Sequence, residues 1–247
     1  MGYLGSGGKR IMTKVFLFLL GIAQVCFAQV CIPEVQPQPN NPYSYIRGEI
    51  KALKWIRYAL TEMQKIQSPL DGNDQERLHK LVNMYTIAEA ASDDYSCAAL
   101  LLKNYKDSKD DTVADSAQTL LKVIETSTQI NTKLVGTMEA LYKAEKSEEI
   151  DQVGIAKMLA NVQSLQKDVR NLTMVGVKMS TFSVLRIQGE DDNARPVAFT
   201  ISEKQRAALL GEAQELRAEG KDQNSVVDGC ADILISILKS QLPTSDH

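Results

Sequence analysis

The residues of this chain able to do chemistry are few: four cysteines, two histidines and some neighbouring carboxylates. Glu76-Arg-Leu-His79 has the spacing that sets a carboxylate and an imidazole on one helix face, one turn apart. A di-iron bundle needs two such pairs and further glutamates. The only other histidine is the terminal His247, so a polar helix face is expected here and no metal. Zinc needs thiolates and imidazoles clustered at ligand spacing, which the cysteines and histidines do not show. Asp93-Asp94 and Asp110-Asp111 read as solvated helix faces and ends rather than an acid–base pair. The chain has no Gly-x-Ser-x-Gly turn for a nucleophile, and Gly5-Ser-Gly-Gly8 is no phosphate loop. The Asn171-Leu-Thr173 sequon falls inside an expected helix and is discounted. These absences predict a protein that is not an enzyme and carries no cofactor.

Two other groupings call for a reading. Tyr43, Tyr45, Trp55 and Tyr58 lie close together in sequence at the start of the first helix. Core or interface packing is the first reading for such rings and a ligand-stacking site the second. Among the cysteines, Cys97 and Cys230 both fall on apolar parts of expected helices, and Cys31 in the segment ahead of them. The expected disulfide is Cys97–Cys230, which would tie the second helix to the last. The competing pairing joins Cys31 to either partner.

The N-terminus sets the compartment. Lys9, Arg10 and Lys14 precede the apolar run Val15–Ala28, which is too short for a comfortable membrane span. Small residues at Cys26 and Ala28 suit signal-peptidase cleavage after Ala28, with Met12 as the natural start. An uncleaved anchor extended through Ile32 is the alternative. Cleavage removes three basic residues and no acid from a chain of formal charge −3, so the mature protein is acidic and has no electrostatic footprint for nucleic acid. No later segment reads as a transmembrane helix, and the protein is expected in the periplasm or outside the cell.

Elements that would position these residues are helical throughout. After the signal peptide, residues 1–28, comes a Pro-rich leader, 29–43. Ile46, Ile50, Leu53, Ile56, Leu60 and Met63 then recur at helical spacing. Ser68-Pro-Leu-Asp-Gly72 breaks that helix, and Asn73 or Asp74 caps a second one. Ala117, Leu120, Ile124, Leu134, Met138 and Leu141 keep a heptad register, interrupted by Ser127 and Asn131. Ile155, Met158, Val162, Leu165, Val169, Leu172, Gly176 and Met179 repeat it in the next helix. Small and hydroxyl residues of this hairpin, Ser127, Thr128, Thr137, Gly176, Ser180 and Ser183 among them, would form either a docking groove or a close helix contact. The fold class is therefore all-α: an elongated antiparallel helical bundle, made of a long helical hairpin plus two earlier helices over 44–188. An acidic loop and extended linker, 189–201, leads to a smaller C-terminal helical pair over 202–242. Thr200 or Ser202 starts the first of these, Gly220 ends it, and Cys230, Ile233, Leu234, Ile237 and Leu238 form the apolar side of the second.

This pattern predicts an exported, non-catalytic interaction or structural protein of the bacterial envelope, with a protein partner. Two alternatives stand beside it. One is a subunit of a secretion or conjugation apparatus, since the minor pilins of type IV secretion systems are similar in architecture, without a shared motif. The other is a periplasmic small-ligand binder.

Overall fold

The computed structural model describes residues 31, 37–66, 72–145, 152–187, 201–220 and 225–239. The chain divides into a unit ending at Gln36, of which Cys31 alone is described, and a unit from Pro37 onward. The described residues of the second unit form six α-helices: α1 (Pro42–Lys65), α2 (Asp74–Leu102), α3 (Asp111–Glu145), α4 (Gln152–Ile187), α5 (Glu203–Glu219) and α6 (Ser225–Lys239). A 3-10 turn, Lys103–Tyr105, follows α2. About 90% of the described residues are helical and none is in a strand. None of the described helices is long and apolar enough to cross a membrane. The expected signal peptide, 1–28, the rest of the expected leader up to Gln36 and most of the expected acidic loop and linker, 189–200, lie outside the described residues.

Local chemistry explains where the helices begin. Asn41 caps α1 by accepting from Ser44 N, and Pro42 sits in the first turn, where its missing N–H costs nothing. The helix thus starts two residues ahead of the expected Ser44. Gly72, at φ +108°, makes the turn ahead of α2 in a conformation that side chains rarely adopt. Asn73 then accepts from Gln75 N and Glu76 N while Glu76 accepts from Asn73 N, a reciprocal capping box. Asp110 caps α3 through Thr112 N and Val113 N. Of the two candidates ahead of α5, Ser202 is the cap, paired with Gln205.

Helices α1 to α4 pack in chain order, and the α5–α6 pair bears on α1 and α4. The heptad positions of α3 carry the core: Ala117, Leu120, Ile124, Leu134, Met138 and Leu141 are all buried. Their polar interruptions, Ser127 and Asn131, are buried too, as donors. Thr173 of α4 gives its single proton to Val169 O (2.8 Å), so it accepts from both Tyr95 of α2 (2.9 Å) and Ser127 of α3 (3.2 Å). One hydroxyl thus joins three helices. One turn along α3, Asn131 donates to Ala88 O and Ser92 Oγ of α2, each at 2.6 Å. Shifting any of these helices by a turn would strand buried polar groups, so the layer sets register. The exposed Asn171 of the sequon precedes this committed Thr173 by two residues.

Close packing is the outcome at Gly176. A Cβ built there would stand 2.7 Å from Val123 Cβ, whereas one at Gly136 of α3 meets nothing within 4 Å. A glycine in a helix interior normally disfavours folding by about 0.5–1 kcal/mol relative to alanine. Gly136→Ala should therefore raise the melting temperature. Gly176→Ala should lower it, with overpacking costing about 1–3 kcal/mol. Thermal unfolding of the two variants checks the opposite signs.

The cysteines correct the expected pairing. Cys97 is disulfide-bonded, and so is Cys31. Cys230 keeps its thiol, buried in α6 and donating to Val177 O of α4 at 3.5 Å. Cys97–Cys230 fails because α6 lies on α4, α5 and α1. Non-reducing peptide mapping should find Cys31 and Cys97 each in a crosslinked peptide, with Cys230 alkylated only after unfolding. A Cys230 crosslink would contradict this assignment.

Candidate functional site

The four clustered aromatics separate into different environments. Tyr45 is fully buried and meets Tyr105 edge-on, with ring centroids 5.5 Å apart. Tyr105 donates to Ser44 O at 2.8 Å, which leaves Ser44 Oγ to donate to it at 2.7 Å. Tyr43 is half-buried against the core. Trp55 and Tyr58 form a second edge-on pair, centroids 5.6 Å apart, with Lys54 Nζ 6.0 Å from the Tyr58 ring. Ten residues of helix put Tyr45 and Trp55 about 15 Å apart along the axis. Tyr45 is a core ring, and the Trp55–Tyr58 pair lies at the surface.

Glu76 and His79 do not form a site: both are exposed, and the Glu76 carboxylate serves the α2 cap. Among the described residues no group of three or more His, Cys, Asp or Glu side chains could hold a metal ion. Asp110 serves a helix end, as expected. Asp94 departs from a plain solvated face, because burial, with Glu62 and Asp93 nearby, pushes its carboxyl up to about 7.

The C-terminal pair is fastened through a buried charge that sequence inspection did not single out. Arg57 of α1, 4% exposed, donates to Leu216 O in the last turn of α5 and to Asp228 Oδ1 in the first turn of α6 at 2.6 Å. A cation at a helix C-terminus and a carboxylate at an N-terminus both suit the helix dipoles. Arg217 extends the network to Asp232 at 2.9 Å and Asp228 at 3.9 Å. Gly220 fits beside it: a Cβ there would be 2.8 Å from Arg57 Nη2. Arg47–Glu212 (2.5 Å) and Lys54–Glu219 (2.6 Å) add two α1–α5 ion pairs.

These contacts hold the pair against one stretch of α1 and α4. Beyond it, toward the C-terminal end of α1, the two helices leave an open seam of about 320 Å³. Leu60 and Met63 form its apolar floor, and Gln64, Gln163, Gln166, Lys167 and Arg170 line the rest. Gln166 crosses the seam, donating to Met63 O at 2.7 Å and Ile66 O at 3.0 Å, carbonyls of the α1 terminus of which Met63 O also accepts from Ile66 N. Such a lining suits an amphiphilic anion: an apolar group on the floor and an acid against the guanidinium. Its one sequence signal is the charge of α4, where Lys157, Lys167, Arg170 and Lys178 are accompanied among the described side chains by Asp168 alone.

The chain matches no protein-family description, and no curated protein or solved structure is significantly similar to it.

Proposed function

We propose that the protein is an exported, non-catalytic interaction or structural component of a bacterial envelope, whose partner docks on its helical faces. The observation that carries this reading is the α1–α4 seam, an opening with an apolar floor and cationic wall. The outer face of α4 adds apolar groups in water: Val153 is 65% exposed and Val175 53%. Helical grooves of this kind take a partner's side chains into an apolar floor flanked by polar groups. Export is supported by the basic-then-apolar N-terminus and by disulfide-bonded cysteines, which suit an oxidising compartment.

Fractionation of cells expressing the full chain tests both halves. The expected product is in the periplasm or medium, begins at Gln29 and migrates on size exclusion as a complex with a second protein. Retention in the membrane with residues 15–28 intact would overturn export. A lone monomer in native extract would overturn the interaction role.

A further inference from the structure

Helix α4 carries a net positive charge in a chain that is acidic overall. Lys157, Lys167, Arg170 and Lys178 are all exposed on it, and Asp168 is the only acid between Gln152 and Ile187. At 100° per residue, Lys167, Arg170 and Lys178 fall within an arc of about 80°. Arg47, Arg57, Arg77, Arg206 and Arg217 each pair with a carboxylate. Arg170 has no ion pair among the described residues, and neither does Lys167. Both stand on the wall of the α1–α4 seam, above Leu60 and Met63.

We infer that this seam is the docking site for an acidic segment of a partner protein. The segment sets an apolar side chain on Leu60 and Met63 and carboxylates against Arg170 and Lys167, and it runs on along α4 toward Lys178. Charge complementarity carries the choice of partner. A guanidinium offers a carboxylate two parallel donors, and the opposite wall contributes the neutral Gln64 rather than an acid. Extent argues for a peptide over a small anion. Lys178 lies eleven residues beyond Lys167 in sequence, about 16 Å along the helix, past the reach of a molecule that fills 320 Å³. This inference rests on the interaction role proposed above and specifies its site.

The test is site-specific photo-crosslinking of the full chain in its own cells. Gln163→p-benzoylphenylalanine places a crosslinker in the seam, and Glu215→p-benzoylphenylalanine places one on the exposed side of α5. The expected result is a seam adduct whose mapped partner peptide is rich in Asp and Glu. Its yield should fall on the order of tenfold in K167E/R170E and survive in K167R/R170K. Both side chains are exposed, so the charge-reversed protein should keep its melting temperature. A seam adduct unchanged by charge reversal would overturn the inference. So would one formed with a basic or neutral peptide, a second copy of this chain, or a lipid or other small molecule. An adduct at position 215 with none at 163 would overturn the seam and leave the interaction role standing. No adduct at either position would overturn both.

Discussion

Replacing Arg57 by alanine should destabilise the protein by about 3 kcal/mol, the low end of the cost of breaking a buried ion pair, because Asp228 is only partly buried. For a domain of this size that is a fall in melting temperature on the order of 10 °C. Burial pulls the Arg57 guanidinium below its ordinary range, while Asp228 and Glu219 act against that shift. The charged pair rests on two contacts, Asp228 on one nitrogen and Leu216 O on another, while the buried Nε has no hydrogen-bond partner. Removing Arg57 takes the side-chain donor from Leu216 O and leaves Asp228 only the longer contact to Arg217 at 3.9 Å. Replacing both partners by apolar residues, as in R57M/D228L, should recover much of the loss, since an apolar pair leaves no buried charge. Cys230 supplies a local readout. It lies two residues beyond Asp228, 3% exposed, with its thiol on Val177 O. If Arg57 fastens α6 to α1 and α4, Cys230 should react with a thiol reagent in R57A under conditions where the wild type does not. Unchanged melting with an unreactive Cys230 would show that apolar packing alone holds the pair.

That latch also marks where sequence reading stops. Periodicity identifies a face, and it succeeds where one face meets one partner. All six apolar positions assigned to α1 are buried, as are the heptad positions of α3. In α4 the same repeat is diluted. Val162 and Val169 are buried, whereas Ile155, Met158, Leu165 and Leu172 are only partly covered. Thr173 and Val177 are buried instead, because α3, α6 and the polar layer approach α4 from different sides. In α6, Ile233 is 37% exposed while Val227 and Ala231 are fully buried, a rotation of the face set by α4 and α5. Capping was legible because it is local: Asn73 with Glu76 and Ser202 with Gln205 lie three residues apart. Arg57 and Asp228 lie 171 residues apart, and nothing in either neighbourhood announces the other. The seam was invisible for the same reason, since its floor comes from α1 and its charge from α4. Ser127 and Asn131 were legible as polar interruptions but not as one hydrogen-bonded layer, because their partners Thr173, Ala88 and Ser92 come from other helices.

The second large effect expected is a stability that falls as pH rises. Glu49 of α1 is 1% exposed, and burial raises its carboxyl from 4.5 to about 8. In the unfolded chain the same group ionises near its ordinary value. Between those limits the folded state holds a proton that the unfolded state has lost, so each step up in pH favours unfolding. The contribution is fully present below about 4.5, declines through neutrality and is gone above about 8. At about 1.4 kcal/mol per unit, Glu49 alone gives a swing of a few kcal/mol. Asp94, raised toward 7 and half-buried, pushes the same way over a narrower and more acidic window, screened by solvent. Urea midpoints at pH 5, 7 and 9 should therefore decrease in that order. Glu49→Gln keeps the shape and removes the titration, so the variant should match the wild type near pH 5 and exceed it at pH 9. A wild-type midpoint that rises from pH 5 to pH 9, or a glutamine variant no more stable than wild type at pH 9, would show that Glu49 is ionised in the folded protein and held by a compensating charge.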